Sequence, residues 1–306
     1  MDPLELIRDG KIKRYFRATR KLNAPNMVSH ITQRAAGKEP LFLEDGDYLA
    51  MIGFLKEIAN SCMLRIYAFC LMPNHIHLLL SPVEKNLYDA MRDLFSRYAM
   101  KFNRKYERKG HLFAGPYRQA VCLDDSYLLA ASLYIHLNPV KAGIVPDPQA
   151  YRWSSCRLYY EDKAPKSFID PDFILRLLSD SEIESKEKYR VMLNHGSEPE
   201  TGNVLEQEDA IERFQSKLFS MFPSIFKMVG KKRQLAGLLG VDLPTMEQLE
   251  KQIEIVGNEN NSRPESRKAK KYLIEQLISR GYKRSAIADR LGVSRKTVYN
   301  LLKAPL

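Results

Sequence analysis

The chain has 306 residues, 44% of them hydrophobic and 28% charged, enough for about two buried cores. Its net charge of +11 favours a polyanionic partner, with nucleic acid the commonest and an acidic membrane surface the alternative. No apolar run approaches the roughly 20 residues that span a bilayer, and the start, Met1-Asp2-Pro3-Leu4-Glu5, lacks the basic-then-apolar form of a signal peptide. The four cysteines, Cys62, Cys70, Cys122 and Cys156, stand singly, which excludes a Cys-x-x-Cys zinc site and a disulfide framework. A soluble, cytoplasmic protein with reduced thiols is expected.

Residues 1–25 read as a basic arm carrying Lys11, Lys13, Arg14, Arg17, Arg20 and Lys21. From Met27 to Gln33 the sequence alternates and is β-branched, which predicts a strand. Leu49, Ile52, Leu55 and Ile58 then recur at helical spacing within 47–59. The apolar runs 64–70 and 75–80, separated by Met72-Pro73-Asn74, predict an antiparallel hairpin. A basic helix follows from Leu87 to about Tyr106. Another is N-capped at Asp124-Asp125 and expected to end before Pro139. These elements make an α+β domain with an antiparallel sheet over residues 1–160. Beyond it, 161–262 reads as a helical connector, with a linker at 198–203 and a hinge at 257–262, and 263–306 as a third unit.

His75 and His77 are two apart on a strand, so both imidazoles leave the same face of the sheet. That geometry suits two ligands on one metal ion, and equally a pair of half-exposed strand histidines. Tyr134 and Asn138 are four apart on one helix face. Asn138 offers a hard oxygen suited to Mg²⁺ or Mn²⁺ beside imidazoles. Taken alone, the pair reads equally as a core tyrosine and a helix cap.

Their conjunction carries more. The stretches Ala68-Phe69-Cys70-Leu71-Met72-Pro73-Asn74-His75-Ile76-His77-Leu78-Leu79-Leu80, Phe102-Asn103 with Gly110, Tyr134-Ile135-His136-Leu137-Asn138-Pro139-Val140 with Ala142-Gly143, and Trp153-Ser154-Ser155 stand in a characteristic order. Over about residues 26–160 the sequence resembles the HUH (His–hydrophobe–His) tyrosine transposases associated with REP palindromes. The resemblance implies a ferredoxin-like catalytic domain with His75 and His77 as metal ligands and Tyr134 as nucleophile. It also implies Asn138 as a third, amide ligand, a divalent cation (Mg²⁺ or Mn²⁺), and a folded single strand of DNA as substrate. A phenol is a weak nucleophile at neutral pH, and a cation that polarises the scissile phosphate would assist it. Attack by Tyr134 would leave a 5′-phosphotyrosine and a free 3′-hydroxyl, conserving the phosphodiester for strand transfer without ATP. Tyr98, Tyr117 and Tyr127 are rival nucleophiles outside the family-like segment.

Two stretches are candidate DNA surfaces. Arg97, Lys101, Arg104, Lys105 and Arg118 lie among aromatic residues, a pattern suited to single strands and also to an ordinary solvated helix face. Residues 263–306 hold twelve basic side chains against three acidic ones, and 285–302 resembles a helix-turn-helix. There Gly292 permits the turn and Ser294 caps the second helix. Arg295, Lys296, Thr297, Tyr299 and Asn300 stand where base edges of a duplex would be read. The expected whole is an α+β catalytic domain followed by an all-α region, acting on DNA as monomer or homodimer. A DNA-binding regulator with an idle catalytic site and a metal-dependent phosphohydrolase using water are the competing readings.

Overall fold

A computed structural model describes residues 3–10, 15–16, 21–37, 39–161, 167–196, 210–241, 243–257 and 264–303. The expected linker at 198–203, most of the hinge at 257–262, and Lys11, Lys13, Arg14, Arg17 and Arg20 of the basic arm lie outside the described residues. In chain order the first elements are α1 (Pro3–Arg8), β1 (Tyr15–Phe16), β2 (Ser29–Arg34), α2 (Asp45–Ser61), β3 (Leu64–Met72), β4 (His75–Pro82), α3 (Leu87–Lys105), β5 (Arg118–Val121) and α4 (Asp125–Lys141). The strands form one antiparallel sheet in the order β1-β5-β2-β4-β3. Elements β2 to β5, with α2 and α3 as crossovers, make the β-α-β-β-α-β arrangement of a ferredoxin-like domain. Two strands were not expected: β5 is four residues long and β1 two, too short for a period of two to stand out.

The sheet is buried on both faces. Ile31, Ile76, Leu78 and Leu80 are fully buried on one. That face is covered by α2 and α3, with Phe95 of α3 meeting Tyr117 just before β5. The other face carries Cys70, His75, His77, Leu79, His30, Thr32 and Ala120, register partners along the ladder, and α4 lies across it. The side chain of Asp124 accepts from the Tyr127 amide at 2.7 Å, the expected N-cap. Pro139 does not end the helix, which continues to Lys141; in the last turn the missing N–H costs one hydrogen bond, and Ala142 N–H still reaches the Asn138 carbonyl. The outer margin of β3 is occupied by short bridges to Ser154 and Ile169.

The connector contributes α5 (Asp172–Leu175), α6 (Glu182–Gly196), α7 (Ala210–Met221), α8 (Pro223–Lys232) and α9 (Gln234–Leu239). These helices pack against α4: the apolar cluster of the sheet runs on through Tyr189, Phe214, Phe226 and Leu235. Asp125 at the start of α4 accepts from the amides of Gln234 and Leu235 at 2.7 and 2.9 Å. A separate cluster joins α10 (Met246–Gly257) to α11 (Pro264–Ser279), α12 (Arg284–Arg290) and α13 (Arg295–Lys303) through Leu249, Ile253, Leu273, Leu277, Ile287, Val298 and Leu301. These two apolar clusters divide between α9 and α10. Among the described residues no helix is long and apolar enough to cross a membrane.

Candidate catalytic centre and DNA-binding surfaces

Tight alternation in β4 turns Ile76 into the core under α2 and α3 while His75 and His77 emerge beneath α4. The two imidazoles stand edge to face, ring centroids 4.8 Å apart. Tyr134 comes to the same place from α4: its ring is perpendicular to that of His77, centroids 6.0 Å apart. Asn138, one turn on, donates its amide N–H to the Tyr134 carbonyl at 2.8 Å, which ties down the nitrogen and leaves the amide oxygen to face elsewhere. The four residues named from the sequence, two on a strand and two on a helix more than 50 residues away, thus share one site.

Nε2 of His77 is buried and makes no hydrogen bond. Burial, the largest cause, holds the His77 imidazole well below its ordinary pKa, so it is neutral. The Asn138 carboxamide opposes that shift from nearby, without a hydrogen bond to Nε2. A neutral imidazole with an unengaged nitrogen beside an amide oxygen is the donor set that a divalent cation needs. Among the described residues no group of three or more His, Cys, Asp or Glu side chains could hold a metal ion; a cation here would rest on two imidazoles and an amide.

Several groups at the site escaped the sequence reading. His30 and Thr32 of β2 face the same way as the histidines of β4. Nε2 of His30 lies 2.8 Å from Nδ1 of His77, and Thr32 Oγ1 is 3.4 Å from both nitrogens. Burial pushes the His30 pKa down to about 3. Arg34 pairs across the ladder with His75, and Arg118 with Thr32, which sets two guanidinium-bearing positions on the histidine face. From above, the Lys141 ammonium stands 5.5 Å from the Tyr134 ring centroid and 4.0 Å from that of Phe214 on α7. The signal was available for β2: the i, i+2 argument used for His75 and His77 also groups His30, Thr32 and Arg34. For Lys141 and Phe214 nothing in the sequence joined them to Tyr134.

The rival tyrosines lie elsewhere. Tyr98 donates its hydroxyl to the Leu41 carbonyl at 2.5 Å, Tyr117 packs on Phe95, and Tyr127 is fully buried. Of the basic residues expected to touch DNA, Arg97 is paired with Glu57 at 2.5 Å, and Lys105 with Glu44 and Asp47, both at 2.6 Å. Lys101 and Arg104 are exposed. All four belong to α3 and are separated from the histidines by the sheet, whereas Arg118 is exposed on the histidine side.

At the other end of the chain, Ser294 Oγ accepts from the Thr297 amide at 3.0 Å, Gly292 takes a φ of 61° in the turn, and Ala288, Val298 and Leu301 are buried between the helices. Arg295, Lys296, Tyr299 and Asn300 are exposed along α13, with Thr297 half-buried.

Residues 23–138 match the family model described as Transposase IS200 like. This stretch is an IS200-like transposase domain. Residues 265–305 match the model described as Homeodomain-like domain, over the stretch read from the sequence as a helix-turn-helix. A solved structure described as "Structure of the REP associates tyrosine transposase bound to a REP hairpin" is similar to the chain with a TM-score of 0.41 and 14% identity, over 51% of this chain and 94% of that one. No curated protein matches the chain. The family read from the sequence motifs and the α+β fold with its helical C-terminal region are borne out.

Proposed function

We propose that the transposase domain cuts and rejoins single-stranded, hairpin-forming DNA of the REP type through a covalent 5′-phosphotyrosine on Tyr134. The observation that supports it is the meeting of Tyr134, His75, His77 and Asn138 at one point, with the His77 Nε2 atom left without a partner. The Tyr134 oxygen forms a bond to phosphorus as the bond from phosphorus to the 3′ oxygen breaks. The phenolic proton is lost, and the departing 3′ oxygen ends as a hydroxyl. Resealing or transfer is the same exchange in reverse with a second 3′-hydroxyl, so the number of phosphodiester bonds is conserved. His75, His77 and Asn138 would hold Mg²⁺ or Mn²⁺, which when bound polarises the phosphate and offsets charge built up in the transition state. Arg34, Arg118 and Lys141 add positive charge around the scissile phosphate. The C-terminal unit binds duplex DNA through Arg295, Lys296, Thr297, Tyr299 and Asn300, and the helices between hold it to the transposase domain.

The decisive assay uses a labelled hairpin oligonucleotide with Mn²⁺ and denaturing gels. Wild type forms a protein–DNA adduct; Tyr134→Phe forms none and binds the hairpin unchanged. Cleavage by Tyr134→Phe without an adduct would instead establish hydrolysis by water. A wild-type protein that binds and never cuts would be a regulator.

A further inference from the structure

Behind the two imidazoles proposed as ligands lies a second layer of side chains. The His30 ring lies edge to edge with that of His77 and nearly coplanar with it, the planes 19° apart, and its Nε2 is 2.8 Å from His77 Nδ1. On the neighbouring strand position, His75 Nδ1 is 2.7 Å from the Asn74 side-chain oxygen, a group that only accepts. A neutral imidazole has one N–H and one lone pair. Whichever nitrogen donates to a partner, the other is the one free to ligate, and metal-bound histidines almost always have their second nitrogen held in this way. For His75, the Asn74 oxygen can only accept, so Nδ1 is the donor there. For His77 the corresponding acceptor is His30, because Thr32 Oγ1, at 3.4 Å, is a longer and weaker contact.

Resting on the metal centre set out above, we propose that His30 is a positioning residue. It accepts the Nδ1 proton of His77 and so presents the buried Nε2 of His77 to the divalent cation as a lone pair. His30 itself touches neither the cation nor DNA. It acts through the tautomer of its neighbour, from a strand outside the His–hydrophobe–His motif.

The full chain is titrated with Mn²⁺ in the absence of DNA and followed by electron paramagnetic resonance, with circular dichroism as the check on folding. His30→Leu should weaken Mn²⁺ binding roughly 10- to 100-fold, the usual cost of losing an outer-shell partner. His30→Gln, whose amide oxygen can accept the same proton, should recover most of the affinity. A His30→Leu protein that binds Mn²⁺ like wild type, while His77→Ala has lost it, overturns the role of His30 and leaves the metal centre intact. If His77→Ala also binds normally, the metal centre itself is wrong. Should His30→Leu fail to fold, the ¹⁵N spectrum of the Mg²⁺-loaded wild type decides: a proton on Nδ1 of His77 supports the assignment, and one on Nε2 refutes it.

Discussion

His136 sits between Tyr134 and Asn138 on α4 yet faces away from the site, and it offers a quantitative handle on how the helix that bears Tyr134 is held. Its Nδ1 is 2.8 Å from the Tyr189 hydroxyl on α6 and its Nε2 is 2.8 Å from Ser155 Oγ. No part of it reaches solvent. Replacing it with leucine keeps the bulk and removes both bonds. Tyr189 retains Ser132 and Ser155 retains the Phe69 backbone, so the cost falls in the lower part of the range for stranded polar groups, about 3 kcal/mol in all at pH 7.5. Burial pushes the His136 pKa down to about 3 from 6.5, so the native ring stays neutral while the unfolded chain takes up a proton below 6.5. A group whose native pKa is depressed gives stability that is full above the unfolded value and is lost as pH falls toward the native one. Between pH 7.5 and 5.0 the loss from this residue alone is about 2 kcal/mol. The leucine variant lacks that loss. Urea unfolding followed by circular dichroism should therefore show a deficit of about 3 kcal/mol at pH 7.5 shrinking to about 1 kcal/mol at pH 5.0. A deficit equal at the two pH values would mean that His136 is protonated in the fold or titrates freely, and the account of its two neutral hydrogen bonds would fall.

Two further perturbations separate structure from DNA contact. Asp47 is 3% exposed and accepts from Lys105, the Tyr106 hydroxyl and the amides of Leu43 and Glu44; Asp47→Ala should lower unfolding stability by about 3 kcal/mol, and a loss under about 1 kcal/mol in the same urea assay would mark the cluster as a loose surface pair. Arg295→Ala should weaken duplex binding and reduce its salt slope by about 1 while adduct formation on a hairpin is unchanged; a parallel fall in both would tie the C-terminal unit to cleavage.

Legibility in the sequence followed the length and regularity of each pattern. The hairpin of β3 and β4, with its Pro-Asn turn, and the long helices α2, α3 and α4 stood out because periods of two or 3.6 repeated several times. β5 could not, since its four residues lie between β1 and β2, partners far along the chain. The histidine pair and the tyrosine–amide pair were each visible as a spacing, but only the fold brings one to the other. The same distance effect hid His30, whose role exists only once β2 lies against β4. The basic helix misled in part: Arg97 and Lys105 look like phosphate ligands in the sequence, and their acidic partners Glu57, Glu44 and Asp47 are some 40 to 60 residues away. Charge patterns report which residues are ionised and not which are already neutralised across a fold.

The helix that bears Tyr134 has fourteen of its seventeen residues buried, on the sheet side and on the connector side alike. Swinging it outward would open two apolar interfaces at once. If Tyr134 is the nucleophile proposed above, the phenol would be the fixed point of strand exchange and travel would fall to the nucleic acid: a 3′ end would have to leave and its replacement arrive at an anchored post. Turnover on such an anvil would be governed by how fast the DNA rearranges, and would respond to hairpin and flank lengths more than to the suppleness of the protein.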